Sequence, residues 1–145
     1  MRPFLLDVSI LLALNWPHHE AHARVLDWFE REGEKSFALC PLTEAGFVRV
    51  MTNPAFSGRR IEVFEAKEAL TGLASLRGHR FWPLTLSFAE AIAPFEQRVL
   101  SHGQVTDAFL LGLAIERKGS LATLDKAIRH LAGGDFMQHV TLIDR

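Results

Sequence analysis

The sequence predicts an α/β fold in which helices cover both faces of a central, mainly parallel sheet of about five strands. Three observations support this class. Short apolar segments typical of buried strands alternate with segments of helical periodicity. Apolar residues make up 48% of the 145 residues, which is enough for a core. No internal repeat or low-complexity linker divides the chain. We therefore expect one three-layer α/β/α domain over residues 1–145.

The first half alternates strands and helices. Its second helix is predicted from Val25, Leu26 and Phe29, which share one apolar face. Asn53-Pro54 is a helix-stopping pair that ends the third helix. The predicted elements are a strand at 4–6, a helix at 10–14, a helix at 19–31, a strand at 37–42, and a helix at 44–52 capped by Thr43.

The second half continues the same order. Pro94 predicts a kink or break inside a helical segment. Thr106 is placed to cap a helix that is apolar on more than one face. The predicted elements are a helix at 61–76, a weak strand at 80–82, a helical segment at 87–100, a helix at 107–115, a strand at 120–123, a helix at 126–131 and a strand at 140–143.

Charge and cysteine content exclude several classes of protein. The formal net charge of −1 argues against a protein that coats nucleic acid by bulk electrostatics. Cys40 is the single cysteine, so it forms no internal disulfide and favours a reducing cytoplasm. His18, His19 and His22 lack the further ligands of a tetrahedral zinc site. The apolar run at 4–14 is interrupted by Asp7 and is too short to span a bilayer, so we expect neither a signal peptide nor a membrane partner.

Four acidic residues lie where predicted strands end or helices begin. Asp7 follows the first strand and Asp125 the fourth, while Glu44 and Asp107 each open a helix behind a threonine. In a parallel sheet, functional groups gather beyond the carboxyl ends of the strands. Clustered carboxylates repel one another unless they hold protons or bind a hard divalent cation, for which Mg²⁺ or Mn²⁺ is suited.

Some of these acids also have an ordinary structural explanation. Glu44 and Asp107 are favourable at a helix start because of the helix dipole. Asp7 is different, since it lies inside a strongly apolar segment where an unpaired carboxylate is costly. The hydroxyls of Ser9 and Thr123 could orient neighbouring carboxylates, or they could bond only to the local backbone.

Each of the four acids lies in a short motif, and together the motifs resemble those of PIN domains, more closely those of the VapC-type toxins of bacterial toxin–antitoxin pairs. The resemblance covers nearly the whole chain. Ser9 departs from it, because many relatives have Asn there, and we expect its supporting hydrogen bond to persist. The motifs, in order, are Phe4-Leu5-Leu6-Asp7-Val8-Ser9, Pro41-Leu42-Thr43-Glu44-Ala45-Gly46-Phe47, Gly103-Gln104-Val105-Thr106-Asp107-Ala108 and Ala122-Thr123-Leu124-Asp125.

The resemblance implies a metal-dependent endoribonuclease. The four acids, Asp7, Glu44, Asp107 and Asp125, would then be catalytic and would hold one or two Mg²⁺ or Mn²⁺ ions. Attack by water would leave 5′-phosphate and 3′-hydroxyl ends. The resemblance also implies an RNA substrate, a cognate antitoxin, a homodimer formed through the central helices and a cytoplasmic location.

Basic residues near these motifs are candidates for RNA binding. Arg49, Arg59 and Arg60 lie in an acid-free stretch that includes a loop with Phe56, and Lys126 follows an acid. Phosphate contacts and stacking require this combination, although a solvated surface has the same composition.

Two other functions are open from the residues alone. A phosphatase that uses Asp7 as its nucleophile would need a second acid two positions later, where the chain has Ser9. The other alternative is a non-catalytic RNA-binding or protein-interaction domain whose carboxylates are only structural.

Overall fold

Five parallel strands form the centre of the fold. The computed structural model describes residues 2–144. Its strands are β1 (Phe4–Leu6), β2 (Phe37–Leu39), β3 (His79–Phe81), β4 (Ser120–Thr123) and β5 (Val140–Leu142). They pair in the order β3-β2-β1-β4-β5, and every neighbouring pair is parallel. The predicted sheet is confirmed.

Helices lie between successive strands along the chain. They are α1 (Val8–Asn15), α2 (His22–Arg31), α3 (Pro41–Met51), α4 (Pro54–Ser57), α5 (Val63–Ala74), α6 (Phe88–Ile92), α7 (Val105–Glu116) and α8 (Ile128–Ala132). Short 3₁₀ turns occur at Gly33–Lys35, Ala93–Arg98, His102–Gln104 and Met137–His139.

Strand side chains alternate between two separate cores, one on each face of the sheet. Leu6 packs into the core under α1, α2, α3 and α5, together with Phe37 and Phe47. Leu5 points to the opposite face and packs into the core with Leu121, under α6, α7 and α8. All five of these side chains are fully buried. The three-layer α/β/α arrangement predicted from the sequence is thereby confirmed.

Three helices, α1, α3 and α7, begin earlier than the sequence predicted, and α1 starts at Val8 rather than Ile10. Helix α3 starts at Pro41 rather than Glu44, because proline suits the first helical position, and β2 therefore ends at Leu39. Thr43 does not cap this helix from outside. It lies within the first turn, where its hydroxyl donates to the Cys40 carbonyl at 3.1 Å and accepts the Cys40 N–H at 3.3 Å. Helix α7 starts at Val105, and its N-cap is Gln104 rather than Thr106.

The remaining elements are present with shifted ends. The helical segment predicted at 87–100 breaks after Ile92, next to Pro94, and Phe95 has non-helical backbone angles (φ −142°, ψ 26°). The loop after Asn53 contains the short helix α4, which the sequence did not predict, and Asn53 caps it by accepting the Ala55 N–H at 3.0 Å.

The apolar segment near the N-terminus divides into β1 and α1. Ile10, Leu11 and Leu12 of α1 are buried against the sheet. Within residues 2–144, no helix has both the length and the apolar character needed to cross a bilayer.

Candidate active site

The carboxyl ends of β1 and β4 meet where the strand order changes direction. From β1 the chain moves outward to β2 and β3, whereas β4 and β5 lie on the other side. Leu6 at the end of β1 is in register with Ala122 of β4, so the residues that follow these two strands are neighbours. Binding crevices of parallel α/β sheets form at such switch points. Asp7 directly follows β1, and Asp125 lies two residues beyond β4.

Asp7 is held rigidly at this switch point. Its backbone N–H donates to the Ala122 carbonyl at 3.2 Å, and its Oδ1 caps α1 by accepting the Ile10 N–H at 3.0 Å. Only 5% of the residue is exposed. Burial raises the pKa of Asp7 above its usual range, while hydrogen bonds from the hydroxyls of Ser9 and Thr123 act in the opposite direction.

The Ser9 and Thr123 hydroxyls connect the two strand ends. Ser9 Oγ donates to Asp7 Oδ1 at 2.5 Å and accepts the Leu124 N–H at 3.2 Å, so it joins the start of α1 to the loop after β4. Thr123 is buried, and its Oγ1 accepts the Asp125 N–H at 3.1 Å. Ser9 therefore bonds directly to the Asp7 carboxylate, whereas the bond of Thr123 Oγ1 to Asp125 is to the local backbone.

Asp107 brings a second carboxylate to Asp7 from α7. It lies in the first turn of that helix and is half-buried. Burial first, and then the charges of Asp7 and Asp125, raise the pKa of Asp107 to about 6. The three aspartates, which are far apart in sequence, therefore form one electrostatic cluster.

Three aspartates line a single pocket of about 260 Å³. Asp125 is exposed to solvent where it lines the pocket. Its Oδ1 accepts the Ala127 N–H at 2.9 Å in the turn before α8. Thr106, which the sequence predicted only as a helix cap, lines the pocket as well; its position before Asp107 in the first turn of α7 was the available signal. The full lining is Asp7, Val8, Ser9, Arg49, Thr106, Asp107, Leu110 and Asp125.

Glu44, the fourth predicted acid, does not line this pocket. It lies in the first turn of α3 and is half-buried. Burial raises the pKa of Glu44 above its usual range. The structure therefore brings together three of the four predicted acids and leaves Glu44 outside the pocket they line.

The donor set fits a hard divalent cation that retains part of its water shell. Across residues 2–144, no three carboxylate, imidazole or thiol groups converge closely enough to bind one ion directly. Mg²⁺ does not require three protein ligands, because it usually keeps several waters and binds through one or two carboxylates. The raised pKa of Asp107 shows that negative charge accumulates here, and a divalent cation would relieve the repulsion.

The basic residues predicted to bind RNA lie on different parts of the protein surface. Arg49 lines the aspartate pocket. Lys126 lies in an adjoining groove of about 390 Å³ that also contains Arg24. Arg59 and Arg60 lie between α4 and α5, where their guanidinium groups contact Glu65 and Glu62 at 3.5 and 2.9 Å.

Comparison with known proteins places the chain in a family. The PIN domain model matches residues 4–134. The chain is 42% identical over 128 residues to Ribonuclease VapC38 of Mycobacterium tuberculosis strain H37Rv, which covers 88% of this chain and 89% of that protein. It is 36% identical over 140 residues to Ribonuclease VapC44 of the CDC 1551 strain, with 96% and 98% covered.

Two solved structures share the fold at low sequence identity. VapBC2 from Rickettsia felis, bound to a DNA fragment from its promoter, has a TM-score of 0.66 at 12% identity and covers 97% of this chain and 98% of that chain. PAE2754 from Pyrobaculum aerophilum has a TM-score of 0.60 at 20% identity and covers 92% and 81%. With the family match over most of its length and its VapC relatives, this chain belongs to the PIN domain family and, within it, to the group of VapC ribonucleases.

Proposed function

We propose that this chain is a divalent-metal-dependent endoribonuclease that acts as the toxin of a toxin–antitoxin pair. One observation carries the proposal: three aspartates from β1, α7 and the end of β4 line one pocket at the switch point of the sheet. The names of the VapC relatives point to RNA as the substrate.

The pocket suits hydrolysis of a phosphodiester bond. A water oxygen forms a new bond to phosphorus, the bond from phosphorus to the 3′ oxygen breaks, and that oxygen leaves with a proton. The products are a 5′-phosphate and a 3′-hydroxyl. Mg²⁺ or Mn²⁺ bound here would supply charge neutralisation and a water of lowered pKa.

Each acid has a proposed role in this reaction. Asp7, Asp107 and Asp125 would hold the metal, and Ser9 and Thr123 keep the Asp7 carboxylate in place. Asp107 is suited to accept a proton from the attacking water, because a pKa of about 6 lies close to neutral pH. Glu44, which lies outside the pocket in the first turn of α3, would contribute only indirectly, through water.

The proposed partners follow from the same assignment. Single-stranded RNA enters along the basic residues Arg49 and Lys126, and the ion-paired Arg59 and Arg60 contribute less. A cognate antitoxin neutralises the activity, two copies of the chain associate through their central helices, and the protein acts in the cytoplasm. Residues 1–145 constitute a single nuclease domain.

Incubation of the purified protein with total RNA tests the proposal. We expect cleavage in Mg²⁺ or Mn²⁺, none after addition of EDTA, and none by the D7N variant. D27N is the matched control, because Asp27 is an exposed acid on α2 that pairs with Arg31 on the surface. A metal-dependent rise in melting temperature should appear for the wild type and D27N and be absent for D7N.

Two outcomes would contradict the mechanism. Cleavage that persists unchanged in EDTA would exclude metal dependence. Binding of RNA without cleavage under any metal condition would favour the non-catalytic alternative. The toxin assignment has its own readout: expression in a bacterial host should halt growth for the wild type and D27N and have no such effect for D7N.

A further inference from the structure

Arg49 is brought to the catalytic pocket by the packing of α3 against α1. Gly46 lies one turn before Arg49 on the same face of α3. A Cβ atom at Gly46 would lie 2.7 Å from Cγ2 of Val8, so only glycine permits this close approach. Since Val8 follows Asp7 directly, the contact also positions the Arg49 side chain beside the aspartates.

The guanidinium group of Arg49 has no ionic partner. In residues 2–144, no acid lies within 4.0 Å of it and it donates no hydrogen bond, although three aspartates line the same pocket. The pKa of Asp107 is governed by burial and by two other carboxylates. Six other cations of the described chain are each ion-paired: Arg31, Arg59, Arg60, Lys67, Arg98 and Arg129.

An unpaired guanidinium at the edge of a carboxylate pocket is suited to a phosphate group. Its planar fork of N–H donors matches two phosphate oxygens at once. The carboxylates attract a metal ion but repel the phosphate of the substrate. A positive side chain beside them is therefore needed to bind that phosphate. Arg49 is exposed and is the one cation among the pocket's lining residues within 2–144.

We propose that Arg49 binds the non-bridging oxygens of the scissile phosphate and stabilises the negative charge that develops on them during hydrolysis. The proposal rests on the ribonuclease function proposed above and assigns Arg49 a catalytic role that Arg59 and Arg60 do not share. Lys126, in the adjoining groove, is placed for a neighbouring phosphate of the same strand.

Kinetics with an RNA that the wild type cleaves test the catalytic role. R49M removes the charge and keeps the length of the side chain, and we expect kcat to fall by about 10²-fold, the loss typical of a single charge-stabilising donor. R49K keeps the charge but not the fork, so its kcat should lie between those of R49M and the wild type. A wild-type kcat for R49M would overturn the proposal, and a change in KM alone would exclude contact with the scissile phosphate.

The control is R31M. Arg31 is also an exposed arginine, but it pairs with Asp27 at the C-terminal end of α2. Since α2 leads into β2, this pair lies towards the amino ends of the strands, whereas the pocket lies at their carboxyl ends. R31M should have the wild-type kcat. Melting temperatures of R49M and the wild type should agree, because within residues 2–144 the Arg49 side chain makes no ion pair or hydrogen bond.

Binding measurements separate failure of this inference from failure of the proposed function. Fluorescence anisotropy with a labelled single-stranded RNA of about 20 nucleotides, in Ca²⁺ in place of Mg²⁺, gives Kd as a function of KCl concentration. Loss of one phosphate contact should reduce the slope of log Kd against log salt by about 0.7. An unchanged slope and Kd for R49M overturn the Arg49 assignment. A wild type that binds RNA normally but cleaves none overturns the nuclease function. In that case the assignment of Arg49 to a phosphate contact is still tested by comparing the salt slopes of R49M and the wild type.

Discussion

Replacement of Asp107 by asparagine should stabilise the metal-free protein at neutral pH. The pKa of Asp107 rises from 3.8 to about 6 on folding, because the side chain is desolvated and lies near the charges of Asp7 and Asp125. The folded protein therefore binds this proton more tightly than the unfolded chain does. As pH rises from about 4 to about 6, stability falls, because an ionised carboxylate must be kept beside two others. Asparagine has the same shape and removes this cost.

The size of the effect follows from the shift. A change from 3.8 to about 6 corresponds to about 3 kcal/mol at about 1.4 kcal/mol per pKa unit. Asp107 is half-buried, so solvent screening reduces this figure to about 1–2 kcal/mol. Loss of the favourable interaction between the carboxylate and the N-terminus of α7 opposes it by about 0.3–1 kcal/mol. We expect a net stabilisation of about 1 kcal/mol for D107N.

Urea unfolding in EDTA measures the effect. At about pH 7.5 the midpoint of D107N should exceed that of the wild type, and near pH 4 the two should coincide, because Asp107 is then largely protonated in the folded state. Glu30→Gln, at an exposed position of α2, is the control and should leave the midpoint unchanged at both pH values. A difference that is absent at neutral pH, or equally large at both, would refute the electrostatic explanation. Added Mg²⁺ should stabilise the wild type more than D107N.

Three further substitutions test the support of the pocket and the packing of the helices. S9A removes the hydroxyl bonded to Asp7 and should cost about 1–3 kcal/mol in urea unfolding and lower RNA cleavage; wild-type values would contradict the bridging role. G112A places a Cβ 2.1 Å from a backbone carbonyl oxygen of α6 and should cost about 1–3 kcal/mol, whereas G72A, in open space on α5, should stabilise by about 0.5–1 kcal/mol; equal effects would argue against the close packing of α7 on α6. E44Q should reduce cleavage less than D7N does, since Glu44 lies outside the pocket, and an equal loss in both would show that Glu44 is a direct ligand.

The fold could be predicted because burial leaves a direct pattern in the sequence. Strands β1 and β2 are short apolar segments, and every strand before β5 is followed by at least one helix. Helix starts were predicted less well. Thr43 is a good capping residue by composition, yet α3 begins at Pro41 and its N-cap is Cys40, a residue with little preference for that position. Local preference therefore identified the helix but not its first residue.

The aspartates could be predicted for reasons that differ from one residue to the next. Asp7 is predicted to be functional because burial of an unpaired carboxylate inside an apolar strand–helix segment is energetically unfavourable. Asp107 and Asp125 were identified from their positions at element boundaries, and the strand order then places both beside Asp7. The interaction that raises the pKa of Asp107 depends on distances between segments, which sequence periodicity does not contain.

The distinction between Arg49 and its neighbours could not be predicted, because it depends on tertiary packing. In the sequence, Arg49, Arg59 and Arg60 share one acid-free stretch, so the sequence predicts RNA binding equally for all three. Contact between Gly46 and Val8 decides which face of α3 meets the pocket, and the short helix α4 turns the chain so that the later arginines reach acids of the next segment.

The charges in the pocket explain how a nearly neutral chain can act on a polyanion. Three ionised aspartates and Arg49 carry a formal charge of −2, so the pocket repels RNA before a metal is bound. One divalent cation brings this charge to zero. The phosphate would then meet a pocket without net negative charge, in which Arg49 supplies a guanidinium group. Metal binding should therefore precede RNA binding, and attraction of RNA depends on the local state of this pocket rather than on the net charge of −1.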